Sequence, residues 1–125
     1  MNFELIYTDN YDDEDNIQRY TYKVSGSLLD YCRALFQTDI WEIASVTVSI
    51  ATIDTKPDDE EFIYSYTELK NIIKRGVKVT GCFFVGHIEG RKVFICVRFD
   101  MSMVLITADK SDVEVMIKVG NDSEL

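Results

Sequence analysis

An α+β fold is predicted: a mainly antiparallel sheet of about seven strands, two helices packed on one face, in the order ββαβαββββ. Three observations predict it. The second half of the chain alternates apolar and polar residues in short runs joined by tight turns, as an antiparallel meander does. Two segments near residues 28–38 and 66–75 carry apolar side chains at helical spacing behind a capping serine. The 125 residues, 46% hydrophobic and 28% charged, suit one domain with a real core. Residues 1–125 are read as that single domain, with a frayed tail at 120–125.

The elements follow in order. Residues 3–8 are a short apolar run and read as a strand. Residues 9–16 are a turn-rich acidic loop. In 17–24, Tyr20, Tyr22 and Val24 alternate with Arg19, Thr21 and Lys23, the pattern of a half-buried strand. Ser27 with Asp30 three residues later opens a helix whose stripe is Leu28, Leu29, Cys32, Leu35 and Phe36. Residues 42–53 are β-branched, with Ala44, Val46, Val48 and Ile50 on one face, and read as a long strand. Lys56 to Glu61, with the only proline of the chain, reads as an acidic loop. Ser65 and Glu68 form a second capping box, ahead of the stripe Tyr66, Leu69, Ile72 and Ile73. Lys74 and Arg75 favour the negative end of that helix, and Gly76 stops it.

The meander comes next. A two-residue turn at Gly90-Arg91, of type II′, pairs Ile88 with Val93, Gly86 with Ile95, Phe84 with Val97 and Cys82 with Phe99. That register makes one face almost wholly apolar. It sets Val85 beside Cys96, His87 beside Phe94 and Phe83 beside Arg98 on the other. This second face needs a cover: a dimer mate, the N-terminal hairpin or a partner. Residues 103–108 and 112–119 read as a last strand pair, because Val113, Val115, Ile117 and Val119 alternate with polar residues.

The chain has 13 Lys plus Arg against 22 Asp plus Glu, a net charge of −9. Nucleic-acid binders neutralise phosphates with cations, so this balance argues against direct nucleic-acid contact. No apolar run approaches the roughly 20 residues that span a bilayer. The N-terminus lacks a basic region followed by a long apolar run, and Cys32, Cys82 and Cys96 form no CxxC pair. A cytoplasmic protein with three reduced thiols is expected.

Chemistry finds little footing. His87 is the lone histidine, and a catalytic imidazole needs a nucleophile or carboxylate placed beside it. A His87–Glu89 contact and a Cys96–His87 dyad are the conceivable arrangements in the register above, and neither makes a mechanism by itself. The acidic loop 9–16 has contiguous carboxylates and no glycine, unlike a calcium-binding EF-hand loop. No catalytic residue, metal ligand or cofactor is assigned, and the chain is expected not to be an enzyme.

Charge position is more telling. Residues 1–68 carry −11 and residues 69–125 carry +2. The acidity concentrates in loops 9–15 and 54–61. Clustered carboxylates speed association with a cationic protein and can imitate the phosphates it expects. The expected function is therefore a small acidic inhibitor of the bacterial immunity type, which binds and neutralises a basic partner, a nuclease toxin. Its contact residues would be Asp12, Asp13, Glu14, Asp15, Asp58, Asp59, Glu60 and Glu61, with Tyr11 and Tyr64 as aromatic anchors. Two other readings stand beside it. One is an interaction or adaptor domain, including a phage-type inhibitor of a host nuclease. The other is a small-ligand domain or uncharacterised enzyme with a pocket near His87 and Cys96. A monomer or a homodimer through the second sheet face fits each.

Overall fold

The computed structural model describes residues 3–9, 18–24, 26–51 and 59–122. Seven strands and three helices follow in the order β1 (Phe3–Asp9), β2 (Gln18–Val24), α1 (Leu28–Gln37), β3 (Glu42–Ala51), β4 (Asp59–Ile63), α2 (Tyr66–Lys74), β5 (Lys78–Ile88), β6 (Arg91–Arg98), β7 (Met103–Ala108) and α3 (Lys110–Asp122). The expected arrangement of two helices and the order ββαβαββββ is overturned. The strands form one sheet in the order β1-β2-β7-β6-β5-β3-β4, and every neighbouring pair is antiparallel.

Two corrections have a physical cause. Residues 112–119 are helix, not strand. Val113, Met116, Ile117 and Gly120 recur at i, i+3, i+4 and i+7, and three of them are buried with Ile117 partly so. A strand would have buried Val115 with Val113, yet Val115 is exposed. Residues 120–122 are the last turn of this helix, and 123–125 lie outside the described residues. The second correction is β4, where a loop was expected. Glu60 and Glu61 masked it, because charge on an edge strand is compatible with pairing on one side only. Glu61 points toward the helices and receives both Arg75 contacts, at 3.0 and 3.1 Å.

The two predicted helix starts have the geometry of their sequence. Ser27 Oγ accepts from Asp30 N at 3.3 Å. Ser65 Oγ accepts from Glu68 N at 3.4 Å, and the Glu68 carboxylate accepts from Tyr64 N in return. Gly76 closes α2 with φ +80°, where a side chain would be strained.

The three helices share one face of the sheet. Leu28, Tyr31, Cys32 and Leu35 of α1, Leu69 and Ile72 of α2, and Val113 and Met116 of α3 form one core with alternate residues of β2 to β7. Tyr31 Oη donates to Met116 O at 3.3 Å and ties α1 to α3 inside it. Burying this apolar surface is the dominant favourable term, about 25 cal/mol for each Å².

The β5–β6 hairpin turns at Glu89-Gly90, not Gly90-Arg91. Both residues have positive φ (50° and 80°), as a type I′ turn requires. The register pairs Ile88 with Arg91, Gly86 with Val93, Phe84 with Ile95 and Cys82 with Val97. It differs from the expected one by two residues. A two-residue shift leaves every side chain on its face, so the apolar pattern alone could not detect it.

Candidate functional site

Strand registers decide where the acidic segments attach. At one end of the sheet lie Asp9, Gln18, Ala108, Arg91, His87 and Glu42. At the other lie Val24, Met103, Arg98, Lys78, Ala51 and Asp59. Segment 10–17 joins strand ends at the first, and segment 52–58 joins strand ends at the second. These hairpins also occupy opposite edges, roughly 24 Å apart by strand spacing. The two pairs of strand ends therefore stand at diagonal corners.

Tyr11, Asp12, Asp13, Glu14, Asp15 and Asp58 lie outside the described residues, as does the side chain of Asp59. Glu60 is exposed beside Ser49, on the face away from the helices. Glu61 is held by Arg75. Tyr64 is 86% exposed and follows Ile63, on the side of β4 nearer the Glu42 end.

That end carries a groove of about 430 Å³, lined by Asp39, Ile40, Trp41, Glu42, His87, Glu89 and Gly90. Two turns build its walls. Thr38 ends α1, and its hydroxyl accepts from Ile40 N at 3.3 Å, which holds Asp39 in a tight bend. Trp41 then enters the core, donating from Nε1 to Leu35 O at 3.0 Å. The facing wall is the Glu89-Gly90 turn. Glu42 and His87 are cross-strand partners in between. Three carboxylates and one imidazole therefore line the groove, with no lysine or arginine.

An ion cluster adjoins it. The Arg91 guanidinium lies 2.6 Å from Asp112 Oδ1, 3.5 Å from Asp109 and 4.0 Å from Glu89. It also donates to Ser111 Oγ at 3.3 Å. The Asp112 side chain is only 2% exposed, and neither of its oxygens accepts a directed hydrogen bond among the described residues. Burial pushes its carboxyl up, Arg91 pulls it down, and Asp109 and Glu89 add to the rise.

The Cys96–His87 arrangement does not form. Cys96 pairs with Phe83, and His87, four residues further along β5, pairs with Lys92. The separation along the strand is roughly 13 Å. His87 lines the groove, and Cys96 does not. Burial raises the Cys96 thiol, and nearby Arg98 only opposes this. Cys32 and Cys82 are buried in the core, and the Cys32 thiol is pushed up by burial and by Cys82. These are not the surroundings of an activated thiolate. Among the described residues no group of three or more His, Cys, Asp or Glu is disposed to hold a metal ion. Nor, among those residues, is any helix long and apolar enough to cross a membrane.

Asp39 and Glu42 were not among the residues expected at a site, and Glu89 was expected only as a possible neighbour of His87. They are separated by up to 50 positions in sequence. Only the pairing of β3 with β5 brings them together, and no local signal announces it.

No family model matches the chain, and no curated protein matches it. Among solved structures it is similar to a conserved hypothetical protein from Pyrococcus furiosus, at 14% identity over 87% of this chain and 91% of that one, with a TM-score of 0.32. So loose a likeness supports no argument here.

Proposed function

We propose that the chain is a small acidic binding protein that captures and neutralises a basic protein, in the manner of an immunity protein or inhibitor of a nuclease toxin. The observation that supports this reading most is the groove at the Glu42 end. Asp39, Glu42 and Glu89 line it with no lysine or arginine in the lining, although Arg91 stands 4.0 Å from Glu89 at its margin. The strand ends that bound the acidic segment 10–17 lie at the same end. A lysine or arginine of a partner would meet carboxylates already held by two turns, so little ordering cost attends binding. With the strand ends that bound the two acidic segments at diagonal corners, the proposed contact uses the Glu42 end and not both segments.

The chemistry of an adaptor domain or a phage-type nuclease inhibitor would be the same, and the partner's identity separates them. A second reading has its own observation. An apolar groove of about 500 Å³ runs between α1 and α3, lined by Ala34, Gln37, Thr38, Ile40, Val115, Lys118 and Val119, and would suit a small ligand with an anionic group for Lys118.

The test is affinity capture from source-cell lysate at low and high salt, followed by calorimetry with the purified partner. The expected result is one basic protein, bound one to one, weakened at least tenfold by Glu42→Lys with Glu89→Lys and by added salt. A partner that binds this double variant as tightly as the native chain would sink the reading.

A further inference from the structure

Two of the three thiols meet inside the core. Cys32 lies on the buried stripe of α1 and is 0% exposed, and Cys82 lies on the inward face of β5 and is 1% exposed. A hydrogen bond joins the two thiols. A second contact between the same elements agrees with it. The rings of Phe36 and Phe84 meet edge to face, with centroids 5.1 Å apart. Cys32 stands one helical turn before Phe36, about 6 Å back along α1. Cys82 stands two residues before Phe84, on the same face and about 6.6 Å back along β5. The near-equal steps carry α1 along β5 with one thiol over the other. Cys96 is kept from both. It pairs with Phe83, the neighbour of Cys82, so its side chain points to the opposite face of the sheet.

We infer that Cys32 and Cys82 are a modification site: oxidation by a small-molecule disulfide joins them in one intramolecular bond that latches α1 to β5. Sulfurs already in hydrogen-bond contact must close to roughly 2.05 Å, which rotation of the two side chains and a slight approach of the helix supply. The exchange balances. One cysteine thiolate attacks a sulfur of glutathione disulfide, its S–S bond breaks, a mixed disulfide forms and one glutathione thiolate leaves. The second cysteine thiolate attacks the protein sulfur of that mixed disulfide and expels a second glutathione thiolate. Both cysteines are oxidised, one glutathione disulfide is reduced to two glutathiones, and the two cysteine protons end on them. Burial keeps both thiols unreactive in the closed core, so the exchange runs during folding or local opening, and closure of the core selects the pair.

Chain length alone would select another pair. Cys82 and Cys96 are 14 positions apart, and Cys32 and Cys82 are 50, so an unfolded chain closes the shorter loop about sevenfold more readily. The sheet reverses that preference by setting Cys96 on its far face. The latch also bears on the acidic groove, because α1 leads into the Thr38–Trp41 turn that forms one wall.

Refolding of the full chain from urea in a buffer of reduced and oxidised glutathione tests this, with alkylation of the remaining thiols and peptide mapping by mass spectrometry. The expected product is a Cys32–Cys82 disulfide with Cys96 outside it. The same buffer in concentrated urea should give mainly Cys82–Cys96. The refolded product should have the circular dichroism spectrum of the reduced chain and a urea midpoint higher by about 1 M. Cys96→Ser should form the same bond, which guards against scrambling through the third thiol. A refolded chain that pairs Cys82 with Cys96, or leaves Cys32 and Cys82 unjoined, would overturn the latch. A Cys32–Cys82 product no more stable than the reduced chain would overturn it equally, because a bond that distorts the core fastens nothing.

Discussion

The indole of Trp41 rests on Gly86. A methyl group added at Gly86 would come within 2.5 Å of Trp41 Cε3 and 2.6 Å of the Glu42 carbonyl oxygen. Neither neighbour can yield easily. Trp41 is 4% exposed and tied by Nε1 to Leu35 O, and Glu42 is paired with His87. The glycine is therefore a packing requirement of the β3–β5 seam, where the groove begins. Gly86→Ala should cost about 1–3 kcal/mol of stability in urea titrations, the range for overpacking a filled site. Trp41 is the only tryptophan, so its emission should shift to the red in the same variant. Native stability with an unshifted spectrum would show that the indole does not sit there.

The Glu89-Gly90 turn makes a prediction of opposite sign. Glu89 has φ 50°, a conformation that non-glycine residues other than Asn and Asp adopt reluctantly. Asn-Gly is the favoured pair for a type I′ turn. Glu89→Asn should therefore stabilise the protein by up to about 1 kcal/mol, raising the melting temperature by a few degrees. A turn at Gly90-Arg91 would place residue 89 in a strand, where asparagine is disfavoured, and the melting temperature would fall.

Arg91 holds a carboxylate that has little else. Asp112 is 2% exposed and Arg91 is 43% exposed, so solvent screens part of their attraction. Arg91→Ala should cost about 1–2 kcal/mol at neutral pH, less than the loss of a fully buried partner. Burial, the largest influence, raises the folded carboxyl above its unfolded value. The folded state then holds its proton more tightly than the unfolded state. Any penalty from this group is absent below the unfolded value and grows as pH rises through the folded one. Removing Arg91 enlarges the rise, so the variant's deficit should shrink as pH falls from 7 toward the carboxylate range. A deficit that is constant with pH would exclude this coupling.

Alkaline stability rests on the core tyrosines. Tyr22 is 5% exposed, and burial, with smaller contributions from Tyr20 and Glu114, pushes its hydroxyl up to about 12. Burial likewise raises Tyr20 and Tyr31. The unfolded chain ionises near pH 10 and the folded chain does not, so protons are released on unfolding. Stability should be level below pH 10 and fall between about 10 and 12, by about 2 kcal/mol for Tyr22. Tyr22→Phe should flatten that fall in denaturant titrations at pH 9, 10 and 11. An unchanged slope would assign the proton release to other groups.

Local chemistry was legible where it acts locally. The caps at Ser27 and Ser65, the stop at Gly76 and the inward faces of β2, β5, β6 and of β3 from Val46 onward depend on residues within a turn or two of each other; Ala44, expected inward, is exposed at a bulge where Ile43 packs on the core instead. Helix α3 was misread for a local reason as well. Val113 to Val119 satisfies both a two-residue and a helical period, and only the core that takes in Met116 and excludes Val115 selects between them. The β5–β6 register was open by two residues, because such a shift preserves every face.

The sequence by itself determined most of the inward face of β2, β3, β5 and β6, where two of the helices start and how much negative charge the chain carries. Those properties follow from each residue's own chemistry and its near neighbours. Strand order was decided only by tertiary structure. It brings Asp39 and Glu42 against His87 and Glu89, and it sets the strand ends that bound segments 10–17 and 52–58 at diagonal corners. It also leaves Phe62, Phe83 and Phe94 together on the sheet face away from the helices. Which strands become neighbours depends on the summed burial of the whole sheet against three helices, a long-range balance that no short stretch of sequence encodes.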